Sequence, residues 1–396
     1  MKKLILSIWA VVTINAAQAQ SNTLSFSQSG NGNQASTVSQ KGTGNTGSIA
    51  VAGDNNSVYF TQQGTNQSAS IVTRGNDNTA RLLSYGDGTA TAITQAGNGN
   101  AAGVGSGSTV GQNGNINRAY AGGSTEIFQT GDNNYASAAD QSYIVQTGNN
   151  NYASERSFSV EQEHNKVDII QTGDGNYADS YSFYYSRGNE TNITQDGNYN
   201  RANTSFRYGS NNNQVRIAQL GDFNTSSVSS YFSGGQVDIS QQGNHNQSVV
   251  SLGGEAQISI TQQGDDNYGS VSGRWGMITQ IGNDNFGSIS NSNSSITQTG
   301  EANYAALTGS GWMNQVSLTQ TGDNNASRLF QDGSYNSATI LQNGSGNVLR
   351  GIDSDFMLQQ GDGNSLTLTQ NGDGNVLNFS QFGNGNSATI TQGPLN

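Results

Sequence analysis

The sequence predicts an all-β fold, a two-sheet β-solenoid of stacked strand–turn–strand coils of about 22 residues, with insertions in the middle. Three observations carry this expectation. A six-residue motif, Gln-x-Gly-x-x-Asn, recurs nineteen times; many copies lie 11 residues apart; and the segments between them alternate with a period of two.

The motif begins at Gln28 and Gln40, then at Gln95, Gln112, Gln129, Gln146, Gln171, Gln195, Gln219, Gln241, Gln262, Gln280, Gln298, Gln320, Gln331, Gln342, Gln359, Gln370 and Gln381. A three-residue constraint repeated so often marks a repeat architecture, which has to be recognised before any domain is drawn. Between Gln40 and Gln95 the 11-residue beat continues through degenerate copies at Val51, Gln62, Thr73 and Ser84. In the middle the gaps widen to 17, to 18 and to between 21 and 25. The gaps of 17 and 18 read as one beat plus a short insertion. The longer ones read as two beats with one degenerate member, as at Arg207-x-Gly209-x-x-Asn212.

Alternation identifies the segments between motifs as strands. Asn336, Ala338, Ile340 and Gln342 fall on one face, as do Asn364, Leu366, Leu368 and Gln370, and Asn386, Ala388, Ile390 and Gln392. Successive side chains of a strand point to opposite faces, so this period belongs to a strand. Gly-x-x-Asn is turn chemistry, because Gly tolerates positive φ and Asn bonds to nearby backbone. Each beat is therefore one short strand and one tight turn. A single coil cannot bury its apolar face, whereas stacked coils can. An inward Gln or Asn is costly unless hydrogen-bonded. Stacking solves this too, since each amide can bond to its equivalent one coil away.

Composition agrees with a repeat array. Only 32% of the residues are apolar and 11% charged, with 53 Gly, one Pro and no Cys. The net charge of −12 offers no basic stripe for nucleic acid. Residues 1–19 read as a secretory signal: Lys2 and Lys3, an apolar run from Leu4 to Ile14, and a small-residue site at Ala17-Gln18-Ala19. That run is too short to span a membrane, which takes about 20 residues. Residues 20–396 are then expected to form one solenoid, and the protein not to be integral to a membrane. Without cysteine, stability has to come from backbone pairing and stacking.

The pattern Ser-x5-Gln-x-Gly-x-x-Asn-x-Ala-x3-Gln resembles that of curlin, the subunit family of bacterial curli fibres. It is carried here by Ser337, Gln342, Gly344 and Asn347, by Asn-x-Ala at Ala35, Ala119, Ala136, Ala153, Ala178 and Ala305, and by the run Ser380–Gln392. The resemblance covers most of residues 20–396. It implies a solenoid that polymerises end to end into functional amyloid for cell adhesion, aggregation and biofilm matrix. It also implies self-association, a nucleator subunit and an outer-membrane export apparatus as partners, no cofactor and no catalysis. This chain is longer than a typical curlin, and its repeats begin almost at once. The amides expected to form the self-assembly ladder are Gln28, Asn33, Gln40, Asn45, Gln370, Asn375, Gln381 and Asn386, with Gln28, Asn33, Gln381 and Asn386 at the two growing ends.

Other functions find weaker support in the residues. His164 and His245 occupy turn positions and read as solvated turn residues, and no Ser is singled out as a nucleophile. Asp132, Asp174, Asp222, Asp265, Asp323, Asp362 and Asp373 follow the repeat Gly, but neither their beat nor their spacing is that of a calcium-binding β-roll. They read as turn residues and as gatekeepers, repelling their stacked copies. Tyr135, Tyr152, Tyr177, Tyr268 and Tyr304 directly follow the motif Asn and are expected to form an outward aromatic rib. Thr89 and Thr91, Thr367 and Thr369, and Thr389 and Thr391 are expected to face outward, the feature an ice-binding solenoid would need on every coil. A non-polymerising surface adhesin is the other alternative; it would need capping coils, whereas the last coils are among the most regular.

Overall fold

A computed structural model describes residues 21–139, 141–158, 165–183, 185–231, 233–352 and 354–393. The expected signal segment and His164 lie outside the described residues. The chain divides into two compact units, residues 1–157 with 166–179, and residues 158–165 with 180–396. Each unit is a two-sheet β-solenoid. Among the described residues every element is a strand and every ladder is parallel, each strand pairing with the one a full coil away.

The first unit opens with Thr23–Ser29 in one sheet and Gln34–Thr43 in the other. They pair with Thr46–Ala52 and Ser57–Thr65 respectively, one coil on. Register is set by side chains repeating in file. Ile49, Ile71, Ile93, Val110, Ile127 and Ile144 stand one above another, each fully or almost fully buried. In the second unit the same file runs Ile217, Ile239, Ile260, Ile278, Ile296, Leu318, Ile340 and Leu368. Burying one such side chain stabilises by about 1.5–3 kcal/mol before conformational entropy is deducted. A one-residue slip would turn every file outward, which holds the stack in register. The alternation read from residues 336–342 holds: Asn336, Ala338, Ile340 and Gln342 are all buried.

Spacing misled the sequence reading at several points. Gln95 pairs directly with Gln112, and Gln112 with Gln129, so these gaps of 17 are complete coils shortened at one corner. The gaps of 18 are complete coils as well, since Gln262 pairs with Gln280 and Gln280 with Gln298. One of the shorter gaps does hold an insertion. Gln342 pairs with Gln370, not Gln359, because the strand partners Val348–Arg350 and Met357–Gln360 are two separate strands where a single one would be expected. The middle coils thus include shortened as well as lengthened ones. At Arg207–Asn212 the register is off by one: the buried amide is Asn213, while Asn212 is exposed with φ 54°. Thr91 points inward rather than outward, its hydroxyl accepting from the Gly107 N–H at 3.1 Å.

Candidate assembly site: amide ladders and corners

Each corner is built by the four residues Gly-x-x-Asn. In the Gly243–Asn246 corner, Gly243 has φ 117° and His245 φ 56°, while Asn246 turns inward and is fully buried. The left-handed third position costs a non-glycine residue about 1–2 kcal/mol. It is often Asn, Asp or Gly, the residues that tolerate it best.

The motif Asn supplies two bonds to the coil that comes after it. Asn267 Nδ2 donates to the Gly282 carbonyl (2.8 Å), and its Oδ1 accepts the backbone N–H of Asn285 (3.1 Å). The Asn files continue through the side chains themselves, with Asn285 Nδ2 donating to Asn267 Oδ1 at 3.1 Å. The same pair of bonds recurs at Asn56, to the Gly75 carbonyl (2.7 Å) and from the Asn78 N–H (3.0 Å). Gln forms a second file. In the second unit Gln195, Gln219, Gln241, Gln262, Gln280, Gln298, Gln320, Gln342, Gln370 and Gln392 are linked in turn, each Nε2 donating to the next Oε1 at 2.8–2.9 Å. In the first unit Gln95, Gln112, Gln129, Gln146 and Gln171 are linked likewise at 2.8–3.0 Å. Every one of these Gln bonds runs from the N-terminal coil to the C-terminal one, so the stack is polar.

The amides expected to form the self-assembly ladder occupy this geometry as follows. Gln28 is half-buried and donates to the Asn33 carbonyl (3.0 Å), and Asn33 donates to the Gly53 carbonyl (2.6 Å). Gln40 donates to Gln62 (2.7 Å) and Asn45 to the Gly64 carbonyl (2.9 Å). Toward the other end, Gln370 donates to Gln392 (2.8 Å) and Asn375 to Asn347 (2.8 Å). Gln381 accepts from Gln359 (2.7 Å), and Asn386 donates to Asn364 (3.0 Å). Strands Thr23–Ser29 and Gln34–Thr43 pair along one edge only among the described residues, and so do Ser380–Phe382 and Ser387–Gln392.

The turn aspartates have a structural role the sequence did not disclose. Asp265 Oδ1 accepts the N–H of Asn244 in the preceding coil (2.7 Å), and Asp222 that of Asn198 (2.7 Å). Asn serves equally well: Asn244 Oδ1 accepts from Asp222 N–H (2.9 Å). From Asn198 to Asn283 this position reads Asn198, Asp222, Asn244, Asp265, Asn283, so no two of these carboxylates are adjacent, whereas one coil farther Glu301 stands beside Asp323, whose Oδ1 accepts the Glu301 N–H (2.9 Å). The first unit has Asn115, Asp132, Asn149, Asp174. Adjacent carboxylates about 5 Å apart would repel by roughly 1–3 kcal/mol. Asn244→Asp places three in a row. Its melting temperature is expected to fall by several degrees at low salt and to recover near 1 M salt, where the Debye length is about 3 Å. An equal loss at both salt concentrations would assign the effect to hydrogen bonding instead.

Aromatic ribs run outside the corners. Tyr135, Tyr152 and Tyr177 stack at 4.9 and 4.7 Å, and Tyr268, Phe286 and Tyr304 at 4.9 and 4.7 Å, as expected of the residue after the motif Asn. A further rib, Tyr199, Phe223 and His245, uses the left-handed third corner position. The signal was present in the sequence as aromatics at one fixed offset from the motif Gln. His245 is thus a stacked member of this rib, its ring 5.1 Å from that of Phe223. Among the described residues no group of three or more His, Cys, Asp or Glu could hold a metal ion, and no helix is long and apolar enough to cross a membrane.

Residues 361–393 match the family described as Curlin associated repeat. No curated protein matches the chain. The matched stretch carries the ladder bonds from Gln370 to Gln392 and from Asn386 to Asn364, the same bonds that recur through both units. That stretch is a curlin-associated repeat by its match, and the Gln-x-Gly-x-x-Asn motif that it carries recurs through both units.

Proposed function

We propose that this protein is a secreted structural subunit whose copies add end to end into an extracellular amyloid fibre serving adhesion and biofilm matrix. The observation that carries this reading is the polarity of the ladders. Each coil offers on its C-terminal side the bonds that the next coil needs on its N-terminal side. Two copies can then continue the stack. In chain order, the strand after Ser387–Gln392 would fall above Ser380–Phe382, so Thr23–Ser29 of the incoming copy takes that place and its Gln34–Thr43 covers Ser387–Gln392. Gln381 would then donate to Gln28 of the incoming copy and Gln392 to its Gln40, while Asn386 would accept from its Asn33 N–H. Such head-to-tail association does not close, and so generates a filament. Residues 1–19 would direct export and be removed. A nucleating subunit and an outer-membrane export apparatus are the partners this reading calls for. Catalysis has no role in it.

The purified chain is expected to polymerise after a lag, with a rise in thioflavin fluorescence and fibre reflections at about 4.8 Å and about 10 Å. A monomer that stays soluble for days at micromolar concentration would overturn the proposal and favour a capped adhesin.

A further inference from the structure

The second unit carries one feature unrelated to stacking. Its coils shorten to 18 residues between Gln262 and Gln298, and the loss falls at the corner entering the sheet of the long Gln file. Strands Gln247–Gln263 and Tyr268–Ile281 pass round that corner without a break. A full corner returns at Gly311–Asn314 and overhangs the shortened ones. The step forms an open groove of about 720 Å³, within the ~300–1,000 Å³ of small-ligand sites. Both tryptophans of the described residues line it: Trp275, 49% exposed, and Trp312, 67% exposed. Met313 and Phe330 add apolar surface, and Asn291 and Asn293 add amides. The groove adjoins a second hollow of about 420 Å³ that shares Thr308 and Phe330 and adds Phe356 and the carboxylate of Asp332.

From this lining we infer that the groove binds a neutral oligosaccharide segment. A pyranose ring presents apolar C–H faces and a rim of uncharged hydroxyls. Flat, exposed indoles suit the faces, and amides, hydroxyls and corner backbone groups suit the rim. Every described side chain of the 720 Å³ groove is uncharged, in a chain that carries 27 acidic residues. That neutrality argues against a charged polymer, and the density of amides and hydroxyls argues against a purely apolar peptide. Three aromatics in one groove, Trp275, Trp312 and Phe330, offer apolar faces to a chain of several sugars. The groove lies on the side of the stack, so fibre growth would leave it open.

The test is calorimetry of the full chain with hexasaccharides of β-linked glucose and of β-linked N-acetylglucosamine, a polyuronate oligomer and an amphipathic peptide. At least one neutral hexasaccharide is expected to bind. Trp275→Ala and Trp312→Ala should each weaken binding tenfold or more, Trp312→Tyr should retain most of it, and the exposed Tyr335→Ala should change nothing. Circular dichroism checks that the variants stay folded, and their polymerisation lag should match the parent chain, which separates this proposal from the fibre reading. Binding of neither neutral hexasaccharide, binding indifferent to both tryptophans, or equal binding of the polyuronate or the peptide would overturn it.

Discussion

A Gly243→Ala chain is expected to lose roughly 2–6 kcal/mol of stability, enough to open the stack around that corner. Two effects add. Gly243 has φ 117°, a region in which an L side chain is strained by about 1–3 kcal/mol. A Cβ there would also overlap the carbonyl oxygen of Gly264 and stand 2.7 Å from the carbonyl carbon. Strands about 4.8 Å apart leave no room to absorb that overlap. Parting the coils would break the bonds that meet at the corner: Gly243 N–H to the Leu220 carbonyl (2.9 Å) and Asn224 Nδ2 to the Gly243 carbonyl (2.7 Å). Gly363→Ala is the control. That glycine also has positive φ, 68°, but a Cβ on it would meet nothing within 4 Å. It should cost only about 1 kcal/mol. Urea midpoints of the two variants decide the matter, and equal shifts would show that strain alone, rather than coil-to-coil contact, fixes the repeat glycine.

The same contact explains how much of the fold was legible in the sequence. Because Gly, Asn and Gln each bond to or touch their own equivalents one coil away, every coil must repeat them. Repetition of that kind is visible without a structure. The inward placement of Gln342 and Asn347 came directly from it. Coil length was less legible, since stacking constrains the two strands and leaves the corners free to vary. Gln95 and Gln112 are separated by the same distance in sequence as Gln342 and Gln359, yet the first gap is a full coil and the second half a coil with a loop. Only the phase of the downstream motifs separates them: after Gln359 the 11-residue beat resumes, whereas after Gln112 a second gap of the same length leads to Gln129. The groove at Trp275 and Trp312 was hidden for the same reason. It arises from residues missing at a corner, and a sequence displays what it contains more readily than what it omits. The alternation of Asp and Asn was readable in principle, but only once each corner had been set above its true neighbour.

Gly383→Ala is expected to lengthen the polymerisation lag at least tenfold while costing the single chain no more than local backbone strain. Among the described residues of one chain nothing stacks on this glycine; a Cβ would meet only Asn386 Nδ2, at 3.6 Å. The cost to the monomer is therefore the strain of φ 96°, about 1–3 kcal/mol. Gly361, one coil earlier at the same corner, shows what an added coil would bring. A Cβ on Gly361 would overlap the Gly383 carbonyl and stand 2.7 Å from its carbon. If copies add head to tail, Gly30 of the incoming copy takes that place above Gly383, and the alanine methyl blocks it. Gly385→Ala supplies the control, with φ 68° and open space around its Cβ; its lag should stay close to that of the parent chain. The block also has a direction. A small proportion of Gly383→Ala chains mixed into parent protein can still dock by the N-terminal face, but each then presents a blocked C-terminal face and should cap growth there. Seeded elongation monitored by microscopy should show one end of each fibre stalled. Equal lags for the Gly383 and Gly385 variants would mean that the Gly383 corner does not meet another copy, and lateral association would replace end-to-end addition.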